Sequence, residues 1–446
     1  MYTSIDLFSG PGGLCTGLKA TGIKPLIAVE MSDWTVETYK ASHNADVLNL
    51  EQYLKNPSTQ SHLFEKSDKT LIIHGDITQV SNALIDLILL QRFDVQSVDL
   101  VTGGAPCESF SLAGQRKEDD ERNNLFLNLE RIAKHVDAKM LLFENVKGLL
   151  SKPLNGVKGD MYKLICDELE APNVEGVSFV LASRDQNTVL LKAIEYGVPQ
   201  ARERVFLVGI NSKYTATFTY PEKTHGEGRM FPFVTVGNAI LDLPQVDSKQ
   251  GQEETQHDLS LILKQDIPAQ QREFLRFMNG ELFPIPDHLK DFSNKINSHI
   301  GPGHTAKMIE RLSYILPGEG MKKAAERLIA NGREDLRNKV FPNKLYAARN
   351  RRLKVDEPSF TVTSHCLDEM VHPILNRGIT PREAARLQSF PDWYQFRGPY
   401  VKFHSDPEQD RYEQIGDAIP PILGYVLGVE IVKTLEDIKK AERMLI

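Results

Sequence analysis

Short apolar runs alternate with longer amphipathic segments over roughly the first 220 residues. One amphipathic segment, residues 123–136, has Leu125, Leu129, Ile132 and Val136 on one helical face. The apolar runs, each of which predicts a buried strand, are residues 3–7, 25–29, 70–74, 98–102, 139–143, 178–182 and 204–210. This alternation predicts an α/β fold, a doubly wound and mostly parallel sheet flanked by helices.

The pattern becomes irregular after residue 222, and a second, smaller and less regular domain is predicted for residues 223–379. We expect residues 380–411 to form a hinge and residues 412–446 to return to the first domain, residues 1–222. The segment that starts at Thr380 matches a capping box, with Pro at the first helical position and Glu at the third.

A last helix is predicted from about Pro421 to Met444. Its expected apolar face, which we expect to dock on the sheet of the first domain, is formed by Ile422, Val426, Val429, Val432 and Leu435.

The cysteine content and the apolar runs indicate where the protein acts and whether it binds a metal or a membrane. The four cysteines are widely scattered and match neither a zinc pattern nor a disulfide framework, so we expect no metal and a reducing, cytoplasmic location. The sequence has no run of eighteen apolar residues, so we expect no membrane span, and no signal peptide is visible.

Charge is unevenly distributed. The chain has a net charge of −7, yet residues 322–354 contain eleven Lys or Arg and three Asp or Glu, a balance of +8. A basic segment in an acidic protein favours one face that binds a polyanion, and the alternative is a solvated helical face.

A glycine-rich loop follows the first predicted strand. It departs from the dinucleotide pattern G-x-G-x-x-G because Cys15 stands where the third Gly belongs. Glu30 ends the second strand and could bind both hydroxyls of a ribose, while Asp76 ends the third and could bind an exocyclic amino group. Without a pyrophosphate loop, these acids favour an adenosine cofactor such as S-adenosylmethionine, although each alone could be a strand-end cap.

Two neighbouring strand ends carry candidate chemistry. Gly103, Gly104 and Pro106 precede Cys107, which favours a presented, reactive thiol over a small buried hydrophobe. Glu144 ends the next strand, and a partly desolvated Glu there could donate a proton. Parallel strands would bring both groups to one crevice at the carboxyl edge of the sheet.

Arg202 and Arg204 stand at positions i and i+2 before a strand, so we expect their side chains on the same side. Such a guanidinium pair could hold a carbonyl oxygen beside the thiol and the carboxyl.

Six motifs occur in an order that closely resembles the DNA cytosine-5 methyltransferases, especially the bacterial enzymes of restriction-modification systems. They are Phe8-Ser9-Gly10-Pro11-Gly12-Gly13, Pro106-Cys107 with Phe110-Ser111, Glu144-Asn145-Val146, Gln200-x-Arg202-x-Arg204, Thr380-Pro381-Arg382-Glu383 and Gln414-Ile415-Gly416-Asp417.

The resemblance implies a mechanism and a cofactor site. Cys107 would attack C6 of a flipped-out cytosine, Glu144 would act on N3, Arg204 would hold O2 and Arg202 would support the pocket. Met31 departs from the family, which usually has an aromatic residue there. The residues implied to bind S-adenosylmethionine are Phe8, Gly10, Gly12, Gly13, Glu30, Met31, Asp76, Ile77 and Pro106.

The resemblance also implies double-stranded DNA as partner. We expect a monomeric enzyme, and the sequence leaves open whether a separately encoded restriction endonuclease accompanies it. We expect residues 108–122 to form a mobile loop over the flipped base and the second domain to read the target sequence. The expected DNA contacts are Ser111, Gln115, Arg116 and Lys117 in the loop and Arg349, Arg351 and Arg352 in the second domain.

Three alternatives stay open. The same chemistry could act on a transfer-RNA cytosine, or the chain could be a catalytically silent, sequence-specific DNA-binding protein. An oxidoreductase on a nucleotide-binding fold is the third, and the missing phosphate fingerprint disfavours it.

Overall fold

The computed structural model describes residues 1–105, 125–154, 156–402 and 408–444. Its strands are β1 (Tyr2–Leu7), β2 (Ile23–Glu30), β3 (Asp46–Asn49), β4 (Leu71–His74), β5 (Leu100–Gly103), β6 (Met140–Val146), β7 (Pro153–Leu154), β8 (Val157–Lys158), β9 (Phe179–Leu181), β10 (Leu190–Lys192), β11 (Gln200–Ala201), β12 (Glu203–Asn211), β13 (Gly251–Gln256), β14 (Lys295–Ile300), β15 (Arg351–Arg352), β16 (Ser359–Phe360) and β17 (Met370–Val371).

The helices connect these strands and build most of the second half of the chain. They are α1 (Gly13–Ala20), α2 (Asp33–His43), α3 (Leu50–Lys55), α4 (Asn82–Phe93), α5 (Phe126–His135), α6 (Asp160–Glu170), α7 (Gln186–Val189), α8 (Val236–Ile240), α9 (Leu259–Leu263), α10 (Ala269–Met278), α11 (Ala306–Ser313), α12 (Met321–Ala330), α13 (Glu334–Val340), α14 (Cys366–Glu369), α15 (Pro381–Leu387), α16 (Arg411–Asp417) and α17 (Pro421–Met444).

Nine of the described strands form one mixed sheet in the order β10-β12-β6-β5-β1-β2-β4-β3, with β9 also paired to β12. The strands from β6 to β3 in this order pair in parallel, whereas β12 is antiparallel to β6, β9 and β10. The mostly parallel α/β fold predicted from the sequence is confirmed, and all seven predicted strands are present. The apolar-run criterion missed the short strands β3 and β10, whose polar residues break the run.

Contacts divide the chain into two compact units. Unit 1 contains residues 1–192, 203–222 and 423–446, and unit 2 contains residues 193–202 and 223–422. The break between Glu222 and Lys223 coincides with the predicted start of the second domain. The ten residues 193–202 pack within unit 2, where strand β11 pairs with β16. The segment 380–411, which was predicted as a hinge, also belongs to unit 2.

The predicted capping box is confirmed at the start of α15. Thr380 accepts a hydrogen bond from the backbone N–H of Glu383, whose carboxylate accepts one from the backbone N–H of Thr380. The same carboxylate receives two hydrogen bonds of 2.7 Å from Arg377, and both side chains are buried. Burial alone would raise the pKa of Glu383, but the Arg377 guanidinium lowers it to about 2.

Helix α17 has the predicted bounds, and its buried face agrees in part with the prediction. Ile422 and Leu435 are buried as expected, whereas Val426, Val429 and Val432 are only half-buried. The other apolar residues of the buried stripe are Leu423, Leu427, Ile431 and Ile438. The backbones of α17 and α1 also lie close together at Gly424, where an added Cβ would be only 2.6 Å from the Leu14 carbonyl oxygen.

The segment 411–444 is long and apolar enough to cross a membrane, because it contains an 18-residue window with a mean hydropathy of 1.5. Because 61% of that window is buried inside the protein, a core helix accounts for it.

We predict that Glu383→Gln lowers the free energy of unfolding by about 3–5 kcal/mol, since it leaves the Arg377 charge buried without a counter-charge. Urea unfolding at neutral pH measures the loss. The folded-state pKa of Glu383 lies below its ordinary value of 4.5, so this stabilisation is present above pH 4.5 and is lost as the pH falls towards 2.

The matched control is Glu281→Gln, which breaks an exposed pair with Arg276 and should change stability little. An equal loss in both variants, or a wild-type advantage that persists at pH 2, would contradict the assignment.

Candidate active site

The loop between β1 and α1 is held in a left-handed conformation at three positions. The φ angles are 54° at Phe8, 54° at Gly10 and 91° at Gly12, and Gly12 is the N-cap of α1. A Cβ built on Gly10 would meet no atom within 4 Å, so the space above this loop is open to a ligand.

Glu30 ends β2 beside this loop. One carboxylate oxygen accepts the backbone N–H of Gly10 at 2.9 Å, and the other accepts those of Met31 and Ser32 at 2.8 and 3.0 Å. Burial raises the pKa of Glu30, although these three hydrogen bonds lower it. The carboxylate is therefore fixed at the strand end and anchors the glycine loop.

The other predicted cofactor residues differ in exposure. Asp76 is exposed and accepts the backbone N–H of Thr78, whereas Ile77 is buried in the core, and Met31 is 70% exposed. Glycines Gly12 and Gly13 are buried. Pro106 lies outside the described residues, as do Cys107, Ser111, Gln115, Arg116 and Lys117, whose assignments stay predictions.

A groove of about 340 Å³ opens at the start of α2 and the end of β4. Its walls include Trp34, Val47 and His74, with the carboxylates of Asp33 and Glu37. Trp34 is 40% exposed and stands four positions after Glu30. The prediction rested on the position directly after Glu30 and missed Trp34, whose signal in the sequence is an aromatic residue three positions after Met31.

Glu144 and Arg204 form an ion pair at the sheet edge where β5 and β6 end. Phe206 pairs with Glu144 and Arg204 with Val146 in the antiparallel register of β12 and β6, so Arg204 is the diagonal neighbour of Glu144. The Arg204 Nε atom lies 3.0 Å from Glu144 Oε1, with 15% and 11% of the two side chains exposed.

The backbone of Gly104, three residues before Cys107 in the sequence, lies against this ion pair. A Cβ built on Gly104 would lie 2.6 Å from Glu144 Oε2, so any side chain there would displace the carboxylate. The Asn145 side-chain amide donates to the Ala105 carbonyl oxygen at 3.5 Å. The end of β5 is therefore tied to the end of β6 two residues before Cys107.

Arg202 lies in unit 2, directly before the first residue of β12. It is buried and donates from Nη1 to the Val362 carbonyl oxygen at 2.9 Å. Gln200, two positions earlier, accepts the backbone N–H of Val362 and donates to the Leu387 carbonyl oxygen. The pairing of Arg202 with Arg204 in one site stays a prediction.

The three predicted arginines of unit 2 have different environments. Arg352 is 5% exposed, and its guanidinium donates five hydrogen bonds to oxygens of unit 2. Arg351 lies 3.4 Å from the centre of the Phe360 ring and is paired with Glu369. Arg349 keeps 55% of its side chain exposed. We therefore correct the assignment of Arg352, which is part of the scaffold and not available to DNA.

Within the described ranges, no group of three or more His, Cys, Asp or Glu side chains could hold a metal ion.

Comparisons with known proteins agree over nearly the whole chain. The family model of the C-5 cytosine-specific DNA methylases matches residues 2–433. The Type II methyltransferase M.DdeI of Desulfomicrobium norvegicum is 29% identical over 97% of this chain and 89% of its own length. The Type II methyltransferase M.AgeI of Thalassovita gelatinovora is also 29% identical, over 96% of this chain and 98% of its own.

A crystal structure supports the fold. A prophage-encoded Escherichia coli protein described as a DNA modification methyltransferase superposes with a TM-score of 0.66 at 23% identity, covering 98% of this chain and all of the other. The resemblance found in the sequence is confirmed, and the chain belongs to the C-5 cytosine-specific DNA methylase family.

Proposed function

We propose that this enzyme transfers a methyl group from S-adenosylmethionine to carbon 5 of a cytosine in a short double-stranded DNA sequence, through a covalent bond between Cys107 and C6. Family membership supports cytosine in DNA as the substrate. The observation that carries the mechanism is the Glu144–Arg204 pair, which lies against Gly104, three residues before Cys107.

Carbon 5 of cytosine is a poor nucleophile until C6 is attacked. In the proposed reaction the Cys107 thiolate adds to C6 while Glu144 gives a proton to N3 and Arg204 holds O2. The electron pair released at C5 takes up the methyl group. A base then removes the C5 proton, the C6–S bond breaks to return the thiolate, and Glu144 recovers the N3 proton.

The cofactor site is proposed at the carboxyl ends of β1, β2 and β4. Bound S-adenosylmethionine would supply the methyl group from its sulfonium. The open space above Gly10 and the fixed Glu30 carboxylate fit a backbone-cradled ligand with a ribose diol. Asp76 would accept from the adenine amino group, and either Met31 or Trp34 would cover the purine ring.

The partner is proposed to be duplex DNA, with residues 108–122 closing over the flipped base and exposed Arg349 contacting DNA. Both curated relatives are named Type II methyltransferases, which supports a role beside a separately encoded restriction endonuclease. We retain transfer RNA as the competing substrate, to be compared directly.

Cys107→Ala should abolish methylation, because no other group is proposed to add to C6. Bisulfite sequencing of plasmid from a methylation-free host should show one short methylated site with wild type and with the control Cys166→Ala, and none with Cys107→Ala. Duplexes that carry 5-fluorocytosine at that site should trap only enzymes with Cys107. Methylation by Cys107→Ala at the wild-type level, or transfer to tRNA and not to DNA, would refute the proposal.

Gly104→Ala should lower the single-turnover methylation rate by about 100-fold or more, the size of a general-acid contribution, because the new Cβ displaces the Glu144 carboxylate. The control Gly303→Ala places its Cβ no closer than 3.6 Å to a neighbour. Unfolding midpoints should be similar in both variants. A Gly104→Ala enzyme with wild-type turnover would show that the carboxylate position does not matter.

Trp34 and Met31 can be separated by fluorescence. The chain has two tryptophans, and Trp393 is 3% exposed, so Trp393→Phe leaves Trp34 as the sole indole. We expect S-adenosylhomocysteine to quench it, and Trp34→Ala to raise the dissociation constant up to about tenfold, as expected for lost ring stacking. Binding that is weakened by Met31→Ala and not by Trp34→Ala, measured calorimetrically, would assign the purine contact to Met31.

A further inference from the structure

Two exposed cations of the basic segment lie beside the exposed ring of Tyr346 in unit 2. Tyr346 is 44% exposed, and among the described Phe, Trp and Tyr residues only Tyr346 and Trp34 are exposed. Lys344 Nζ lies 5.0 Å and Arg349 Cζ 5.1 Å from the centre of the Tyr346 ring. These contacts hold the ring and both cations at the surface.

The start of α12 adds two further cations to this surface. The Met321 backbone N–H donates to the Arg349 carbonyl oxygen, and a Cβ on Gly320 would lie 3.3 Å from the Ala347 carbonyl oxygen. Lys322 and Lys323 follow in the first turn and are exposed. We call Lys322, Lys323, Lys344, Tyr346 and Arg349 the Tyr346 patch.

Lysines in the first helical turn oppose the helix dipole and so destabilise the helix. Helix α12 has no acidic residue in that turn, whereas the next helix, α13, follows the usual rule with Glu334 and Asp335 there. Folding stability therefore does not explain the position of Lys322 and Lys323, but an anion that binds at this surface would.

Carboxylates neutralise the patch only weakly. Arg349 lies 3.5 Å from Asp368 and Lys322 lies 3.9 Å from Glu326, and all four side chains are more than half exposed. In the described part of the chain, Lys323 and Lys344 have no carboxylate within 4 Å.

Other cations of the basic segment are committed to the protein. Arg327 binds Glu319, Lys339 binds Glu310 and Arg352 binds backbone carbonyls. Four of the eleven Lys and Arg residues of 322–354 thus belong to the Tyr346 patch, whereas Arg333, 4.0 Å from Asp335, and Arg337, which donates to Asn338 and Pro342, lie outside it.

We propose that the Tyr346 patch binds the sugar-phosphate backbone of the DNA duplex and positions it without reading bases. This inference rests on the proposed function, which supplies DNA as the partner. Lysine ammonium groups and a tyrosine hydroxyl are donors suited to phosphate oxygens, and such contacts orient a duplex without carrying sequence information. Release of counterions from each neutralised phosphate makes the binding salt-dependent.

The test compares Lys323→Gln/Lys344→Gln/Arg349→Gln with a charge-matched control, Lys264→Gln/Lys290→Gln/Lys307→Gln, in the same unit. Binding is measured with S-adenosylhomocysteine present, on a short duplex with the methylated site and on one with that site scrambled. The slope of log affinity against log salt should fall by about 0.9 for each lost phosphate contact in the patch variant, and stay unchanged in the control.

Affinity for the two duplexes should fall by the same factor, while bisulfite sequencing shows the same methylated site. Tyr346→Phe should weaken binding less than Tyr346→Ala, because it removes the hydroxyl and keeps the ring. Unfolding midpoints verify that each variant is folded.

An unchanged salt slope in the patch variant would overturn the inference, as would a slope change of equal size in the control. A loss confined to the duplex with the site, or a change in the methylated sequence, would show base reading and overturn the backbone assignment. Failure of the proposed function is separate, since the wild-type enzyme itself would then leave DNA unmethylated.

Discussion

Strand β12 enters the main sheet at the edge where β5 and β6 end, because it runs antiparallel to β6. A residue at the start of β12 and a residue at the end of β6 therefore meet at the same edge. Arg204 and Glu144 are such residues, and their separation of 3.0 Å depends on this pairing. A parallel β12 would place Arg204 at the opposite edge, away from Glu144 and from the glycine loop. The reversal of one strand thus assembles the proposed catalytic groups.

Much of this edge could be predicted from the sequence, since it depends on local signals. Buried strands are continuous apolar runs, and polar residues directly after them lie at the carboxyl edge, as Glu30 and Glu144 do. The capping box at Thr380 is equally local, and the structure has it as predicted. The position of a residue at the end of a strand could therefore be predicted where its partner lies in a neighbouring strand.

Partners from distant segments could not be predicted in this way. The spacing of Arg202 and Arg204 indicates one face of a strand, yet the carbonyl that binds Arg202 belongs to Val362, 160 residues later. In α17 Gly424 lies close to the backbone of α1, a contact between distant segments that hydrophobicity alone does not reveal. The groove lined by Trp34 raises the same difficulty, because Trp34 reaches it from the first turn of α2.

Unit 2 uses its arginines in two ways, and the difference explains how an acidic protein can bind a polyanion. Its chain has long irregular stretches, whose buried carbonyl oxygens need donors that strands and helices do not provide. Arg352 donates to four backbone carbonyls, and Arg382 to those of Asn297, Pro391 and Tyr394. A guanidinium with five N–H donors suits this task better than an ammonium. A count of basic residues therefore overstates the charge available to DNA. Basic residues that are available are those that are exposed and have no close carboxylate, in contrast to buried arginines that bind backbone carbonyls.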